Sequence, residues 1–156
     1  MADVPDLHRL INHHAELNRM LHRSHAHLYE HLRDFLVYVE QVEGAERVRG
    51  CVALESVWNN LAEIKSLAVD EVCRGHGIGT QLVGQAIKEA ERLGIAKVFV
   101  LTREERFFQR IGFSTVSKST LPHKVWTDCV RCPLQDNCDE IAMVYQSERI
   151  PPDQRP

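Results

Sequence analysis

The sequence predicts a mixed α/β domain, with helices laid against a sheet of parallel and antiparallel strands. Three observations lead there. Apolar residues recur at helical spacing near the N-terminus, and short β-branched runs alternate with helical stretches further on. Between them, a glycine-rich turn joins one apolar strand directly to a long amphipathic helix.

Leu7, Leu10, Ile11, His14, Leu17 and Leu21 lie three or four apart, which predicts a first helix from Pro5 to Met20. Leu28 and Leu32 suggest a second short helix from His25 to Arg33. Phe35–Glu40 reads as a strand, Gly44 breaks it, and Val48–Val57 returns as its hairpin partner. Ile64–Val69 is the next strand. Ile78, Leu82, Val83, Ala86, Ile87, Ala90 and Leu93 form one face of a long helix whose outer face carries Lys88, Glu89, Glu91 and Arg92. Gly94 stands where a left-handed C-cap belongs. Val98–Leu101 is fully apolar, as a strand at a sheet's centre should be. A brief helix from Glu104 to Arg110, a strand from Phe113 and a last strand over Glu140–Tyr145 follow. One domain is expected over residues 1–149, with a disordered tail over 150–156.

The turn itself carries the chemistry. After Leu67-Ala68-Val69 come Arg74-Gly75-His76-Gly77-Ile78-Gly79-Thr80, in the register Arg-x-x-Gly-x-Gly. Glycines let the backbone come close to a ligand, and the amides at the start of the helix converge on one spot with partial positive charge. Arg74 adds a formal charge. That combination suits a pyrophosphate. The Rossmann fingerprint needs another glycine order and an acidic residue about 20 positions later, and a P-loop needs Gly-Lys-Ser/Thr. Neither is present.

The glycine pattern, its flanking strand and helix, and the downstream Phe108-Gln109-Arg110-Ile111-Gly112-Phe113 resemble the coenzyme A loop of the GNAT acyltransferases. The resemblance implies a GNAT fold and acetyl-CoA held by Leu67, Ala68, Val69, Arg74, Gly75, His76, Gly77, Ile78, Gly79, Thr80 and Phe108. Such domains usually open with a strand; with only Met1–Val4 ahead of the first helix, that strand is expected to be stunted or missing. Three further segments narrow the family. Leu61–Val69, His22-Arg23-Ser24 with Leu28–Phe35, and Leu121–Pro133 with Cys138–Ala142 are similar to N-acetylglutamate synthase, in its short form lacking an amino-acid kinase domain.

That resemblance implies acetyl transfer to the α-amino group of L-glutamate, the entry step of arginine biosynthesis. An acceptor with two carboxylates calls for converging cations, and Arg23, Lys65, Arg103 and Lys124 are the candidates, with Ser24 and Ser66 as further contacts. Glu63 is the candidate to take the ammonium proton through water. The backbone N–H groups of Leu67 and Val69, where the two central strands diverge, are candidates for the oxyanion donor. Strict alternation would put Glu63, Lys65 and Leu67 on one strand face, unless a bulge intervenes. Many GNAT enzymes carry a tyrosine acid where this chain has Phe108, which cannot donate a proton; Tyr29, Lys124 or solvent remain as donors to the thiolate.

Composition sets the outer limits. A net charge of −3 argues against nucleic acid or an anionic membrane as partner. No run of about 18 apolar residues occurs and the N-terminus does not read as a secretory signal, so a cytoplasmic protein is expected. Five cysteines suit a reducing compartment with free, mostly buried thiols. Cys129, Cys132 and Cys138 with His123 nevertheless have the ligand chemistry of a structural zinc site. His27 and His31 stand one helical turn apart, but no carboxylate or cysteine completes a set, so the histidines between His13 and His31 read as an exposed polar face that gains charge at mildly acidic pH. The oligomeric state stays open, a homodimer included. Two other functions stay open too: a GNAT enzyme for another small amine or peptide, and a silent acetyl-CoA sensor.

Overall fold

The computed structural model describes residues 1–122, 126–130, 132 and 135–150. Two helices open the chain, α1 (Val4–Glu16) and α2 (His25–Glu30), followed by a 3-10 turn. Strands β1 (Phe35–Val42), β2 (Ala45–Trp58) and β3 (Leu61–Val69) lead into helix α3 (Ile78–Arg92). Then come β4 (Lys97–Thr102), α4 (Glu105–Ile111), β5 (Ser114–Val116), α5 (Thr127–Val130) and β6 (Ile141–Gln146). The sheet order is β1-β2-β3-β4-β6-β5. β3 and β4 run parallel, while β1/β2, β4/β6 and β5/β6 are antiparallel, so the sheet is mixed as expected. No strand precedes α1 among the described residues.

The β1–β2 turn is a two-residue hairpin with positive φ at both Glu43 (51°) and Gly44 (79°), the twist that right-handed strands favour. The register then shifts at Tyr38/Val39: Tyr38 faces Gly50 and Val39 faces Val48, which leaves Arg49 as an extra residue on β2.

α1 ends four residues earlier than its apolar spacing predicts. Asn18 adopts φ 55°, its N–H donates to the Ala15 carbonyl at 2.9 Å, and the Arg19 N–H reaches the His14 carbonyl at 3.1 Å. These paired bonds form a Schellman turn, which folds the chain back over the last turn of α1. Leu17 is consequently exposed.

The backbone groups into two compact units. The first takes Met1–Leu54 and Lys65–Ala86. Its core joins Val4, Leu7, Leu10 and Ile11 of α1 to Leu28 of α2, Val48 and Cys51 of β2, and Ala68 of β3. Each leucine or isoleucine buried there contributes about 1.5–3 kcal/mol, which holds a short helix that would not persist alone. The second unit takes Glu55–Ile64 and Ile87 onward. Phe99 of β4 and Ala142 of β6 pack there with Val57, Leu61 and Leu121. Ile150, placed in the tail by the sequence, is buried.

Candidate active site

Helix α3 and the turn before it carry the predicted cofactor loop. Asp70 starts a 3-10 turn over Glu71–Cys73, its carboxylate accepting the Val72 N–H at 3.3 Å. Arg74, Gly75, His76 and Gly77 follow, all exposed. Gly75 and Gly77 take φ of 79° and 76°, and a Cβ on either would meet nothing within 4 Å. Backbone handedness is what demands glycine at these two positions, since the space around them is open. Gly79 is the second residue of α3 and therefore helical. The first helical bond runs from the Gln81 N–H to the Gly77 carbonyl at 3.0 Å, so the amides of Ile78, Gly79 and Thr80 lie ahead of the ladder. No acidic residue stands in that first turn. The His76 ring lies 3.2 Å from the Cys73 carbonyl. An exposed loop with open amides and Arg74 beside it can seat a diphosphate.

Asp70 anchors the loop to the sheet. Its N–H donates to the Arg49 carbonyl at 2.7 Å, and its carboxylate accepts from the Arg49 guanidinium at 2.9 Å. Burial by itself would raise the Asp70 pKa, but Arg49, the Val72 N–H and Arg9 together hold it below the usual range. The extra residue at the β2 register shift is thus what reaches the loop.

On β3, Glu63 is 6 % exposed and faces Phe99 of β4 in register. The β3–β4 pairing covers Leu61–Ile64, and β3 runs on to Val69 without that ladder. Ser66 takes φ 50°, a left-handed conformation inside the strand. That left-handed residue interrupts the simple period of two along the strand. The Cys51 thiol donates to the Ser66 carbonyl at 3.4 Å. Burial pushes that thiol up to about 12.

The other candidates take defined positions. The Arg23 backbone is clamped from both ends by Asn12, with N–H to Oδ1 and Nδ2 to carbonyl both at 2.9 Å. Ser24 caps α2, its hydroxyl accepting the His27 N–H at 3.1 Å, so its side chain has a structural task. Lys65 and Ser66 are half-buried on β3. Arg103 donates to Asp139, with side-chain exposures of 33 % and 68 %. This bond raises the Arg103 pKa and lowers that of Asp139. Burial raises the neighbouring Glu140 carboxyl against the opposing pull of Arg103 and Lys118. Phe108 is 3 % exposed, its ring edge-on to Phe107 and Phe113 at centroid distances of 5.0 and 5.2 Å. Little of that ring is left to meet a cofactor. Tyr29 is exposed. Lys124 and His123 lie outside the described residues.

The cysteines and histidines depart from expectation. All five thiols are free, but only Cys51 and Cys73 are buried; Cys129 and Cys132 are half-buried and Cys138 is exposed. Burial raises the Cys129 thiol, and the acidic groups Cys138, Glu140, Glu63 and Cys132 add to this. Among the described residues no group of three or more His, Cys, Asp or Glu side chains gathers to hold a metal ion. His14 is not on a polar face: it is 4 % exposed, inside the apolar stripe. His8 stacks on His25 at a ring-centroid distance of 3.8 Å, and His31 pairs with Asp34 at 3.0 Å. No described helix is long and apolar enough to cross a membrane.

Sequence reasoning missed Asn12, His14, Arg19, Arg49, Asp70 and Glu71, which make the bonds to the Arg23 backbone and within the segment that leads into the loop. One signal was present: a histidine at an apolar position of the first helix marks a buried polar group in need of a partner.

Residues 5–113 match the acetyltransferase (GNAT) family model. The chain is 42% identical over 144 residues to an uncharacterized N-acetyltransferase of Chlorobaculum tepidum, covering 92% of this chain and 90% of that one. It is 35% identical over 130 residues to an amino-acid acetyltransferase of Mycobacterium tuberculosis, covering 83% and 74%. Its fold is similar to the crystal structure of N-acetylglutamate synthase from Neisseria gonorrhoeae complexed with coenzyme A and N-acetyl-glutamate. That likeness has a TM-score of 0.81 at 27% identity and covers 94% of this chain and 33% of the synthase.

Proposed function

We propose, from the premise that this chain belongs to the GNAT acetyltransferase family and is an acetyl-CoA-dependent N-acetyltransferase, that its acceptor is the α-amino group of L-glutamate. The reaction would be the first step of arginine biosynthesis, carried out by residues 1–149 acting as one domain. One coincidence carries this reading. The glycine loop that opens onto α3 belongs to a chain similar, over nearly its whole length, to a synthase solved with coenzyme A and N-acetyl-glutamate.

In the proposed reaction the CoA pyrophosphate lies against Arg74 and the amides of residues 75–80. Glu63, carboxylate-bearing and buried, takes a proton from the substrate ammonium through water. The neutral amine then attacks the thioester carbon, and the N–H groups of Leu67 and Val69 stabilise the oxyanion. Collapse of the intermediate breaks the C–S bond. The thiolate is protonated by solvent, Tyr29 or Lys124, because Phe108 has no proton to give. Arg23, Arg103, Lys65 and Lys124 take the two carboxylates, with Ser24 and Ser66 beside them; Asp139 holds Arg103 until a substrate carboxylate replaces it.

A thiol-release assay with acetyl-CoA and each of the twenty amino acids tests the proposal. Glutamate should exceed glutamine and the neutral amino acids by a wide margin. Arg103→Ala should lower kcat/KM for glutamate by about tenfold to 150-fold, the 1.5–3 kcal/mol of a charge-assisted contact. Equal use of glutamine would reject glutamate as the acceptor, and an Arg103→Ala enzyme with unchanged glutamate kinetics would reject Arg103 as a carboxylate-binding residue.

A further inference from the structure

Three consecutive residues just ahead of the glycines are each tied to a different partner, on α1, on β2 and in the turn after α1. The Val69 carbonyl lies 3.0 Å from Nε2 of His14 on α1. Asp70 is held by Arg49 of β2. Glu71 accepts from Arg19, Nη1 to Oε1, at 3.0 Å. The partners define the His14 tautomer. A carbonyl only accepts, so Nε2 carries the proton; Arg19, whose Nη1 is 3.4 Å from Nδ1, only donates, so Nδ1 is bare. His14 is therefore neutral and uses both ring nitrogens.

The geometry has a local cause. The Schellman turn after α1 brings Arg19 back over the histidine one helical turn before it, and its guanidinium spans His14 and Glu71. Glu71 in turn lies 3.8 Å from Nη2 of Arg74. The Val69–Asp70 peptide is bonded at both ends, carbonyl to His14 and N–H to the Arg49 carbonyl, so its plane cannot rotate without breaking one of them. A carboxylate shared by two guanidiniums holds Arg74 near the loop while leaving it half-exposed.

We infer that His14 and Arg19 are positioning residues for the cofactor loop: through the Val69 carbonyl and Glu71 they fix the backbone entering the loop and the place of Arg74. The inference rests on the proposed seating of CoA at this loop, and it is independent of which amine is acetylated. Arg19 is bonded to His14 and Glu71 and has no assigned contact to either reactant, so its loss should raise the apparent KM for acetyl-CoA and leave the KM for the amine unchanged.

The test uses the full chain with Arg19→Ala, Arg19→Lys, His14→Gln and Glu71→Gln. Thermal midpoint, CoA affinity by calorimetry, and steady-state kinetics against acetyl-CoA and amine are measured for each. Arg19→Ala should weaken CoA binding about threefold to tenfold, the scale of one partly exposed charged contact, at a near-native midpoint. Arg19→Lys, which keeps a donor, should recover part of the loss, and His14→Gln, which keeps a donor for the Val69 carbonyl, should weaken CoA binding less than Arg19→Ala does. Glu71→Gln should weaken CoA binding as Arg19→Ala does. Arg19→Ala and Glu71→Gln proteins that bind CoA within twofold of the parent would overturn the inference and leave the CoA loop standing. So would losses that appear only in step with a lowered midpoint. A parent protein that gives no heat with CoA would instead overturn the reading of the loop itself.

Discussion

Gly50 offers a perturbation whose consequence can be worked from distances. It sits on β2 opposite Tyr38, beside the register shift, and faces the start of α3. A Cβ there would lie 3.0 Å from Cδ1 of Leu82, 3.2 Å from Cγ2 of Ile78 and 3.4 Å from the Ala68 carbonyl oxygen. Leu82 and Ile78 are buried, so neither can swing away into solvent. These side chains must give by a few tenths of an ångström to admit the methyl, and their burial leaves them little room to do so. Overpacking of this kind costs about 1–3 kcal/mol, and the stiffer unfolded chain of an alanine variant returns about 0.4–1 kcal/mol. At the middle of these ranges Gly50→Ala should destabilise by about 1.3 kcal/mol, a drop in Tm of about 3–5 °C for a chain of this size. Ile78 is also the residue at which the cofactor loop becomes helix, so CoA affinity should fall with it. Gly84→Ala is the control: it lies inside α3 with nothing within 4 Å of a Cβ, and should gain about 0.4–1 kcal/mol. Thermal melts and calorimetry with CoA read both effects. A Gly50→Ala protein with native Tm and native CoA affinity would refute the claim that β2 sets the position of the loop.

Stability should depend on pH through His14 and His8. Burial lowers the His14 pKa, the Val69 carbonyl opposes this, and Arg19, Arg74 and His13 lower it further; burial and then His25 lower that of His8. Both folded pKa values lie under the unfolded one, so the unfolded chain binds more protons. This contribution is complete above pH of about 6.5, is lost as pH falls through it, and levels off below the folded values. Urea midpoints between about pH 7.5 and 5.5 should fall accordingly, and His14→Gln should flatten the fall; an unchanged slope in that variant would remove His14 as its source. Alkylation of the native protein should modify Cys138 first and Cys51 last, because Cys138 is exposed and Cys51 is buried with a thiol raised to about 12. Equal labelling rates at these two cysteines would contradict the buried position of Cys51.

Local pattern by itself determined most of the elements and the character of the loop. The apolar faces of α1 and α3, the alternating strands and the left-handed Gly94 all follow from neighbours within a turn or two. The Arg-x-x-Gly-x-Gly register likewise announced an anion-binding turn, because handedness at a glycine is a local property. Tertiary structure alone decided three other matters. It ended α1 at the Asn18 turn although Leu17 and Leu21 extend the helical spacing, and so left Leu17 outside the core that Leu7, Leu10 and Ile11 fill. It put φ 50° at Ser66, inside a run that reads as an unbroken strand. It also turned His14, Arg19, Arg49 and Glu71 from surface-type residues into the supports of the loop. Those pairings join residues 21 to 55 positions apart, and no periodicity in a sequence encodes which distant carbonyl a buried histidine will meet. Burial removes water as the default partner, and the fold must then supply another.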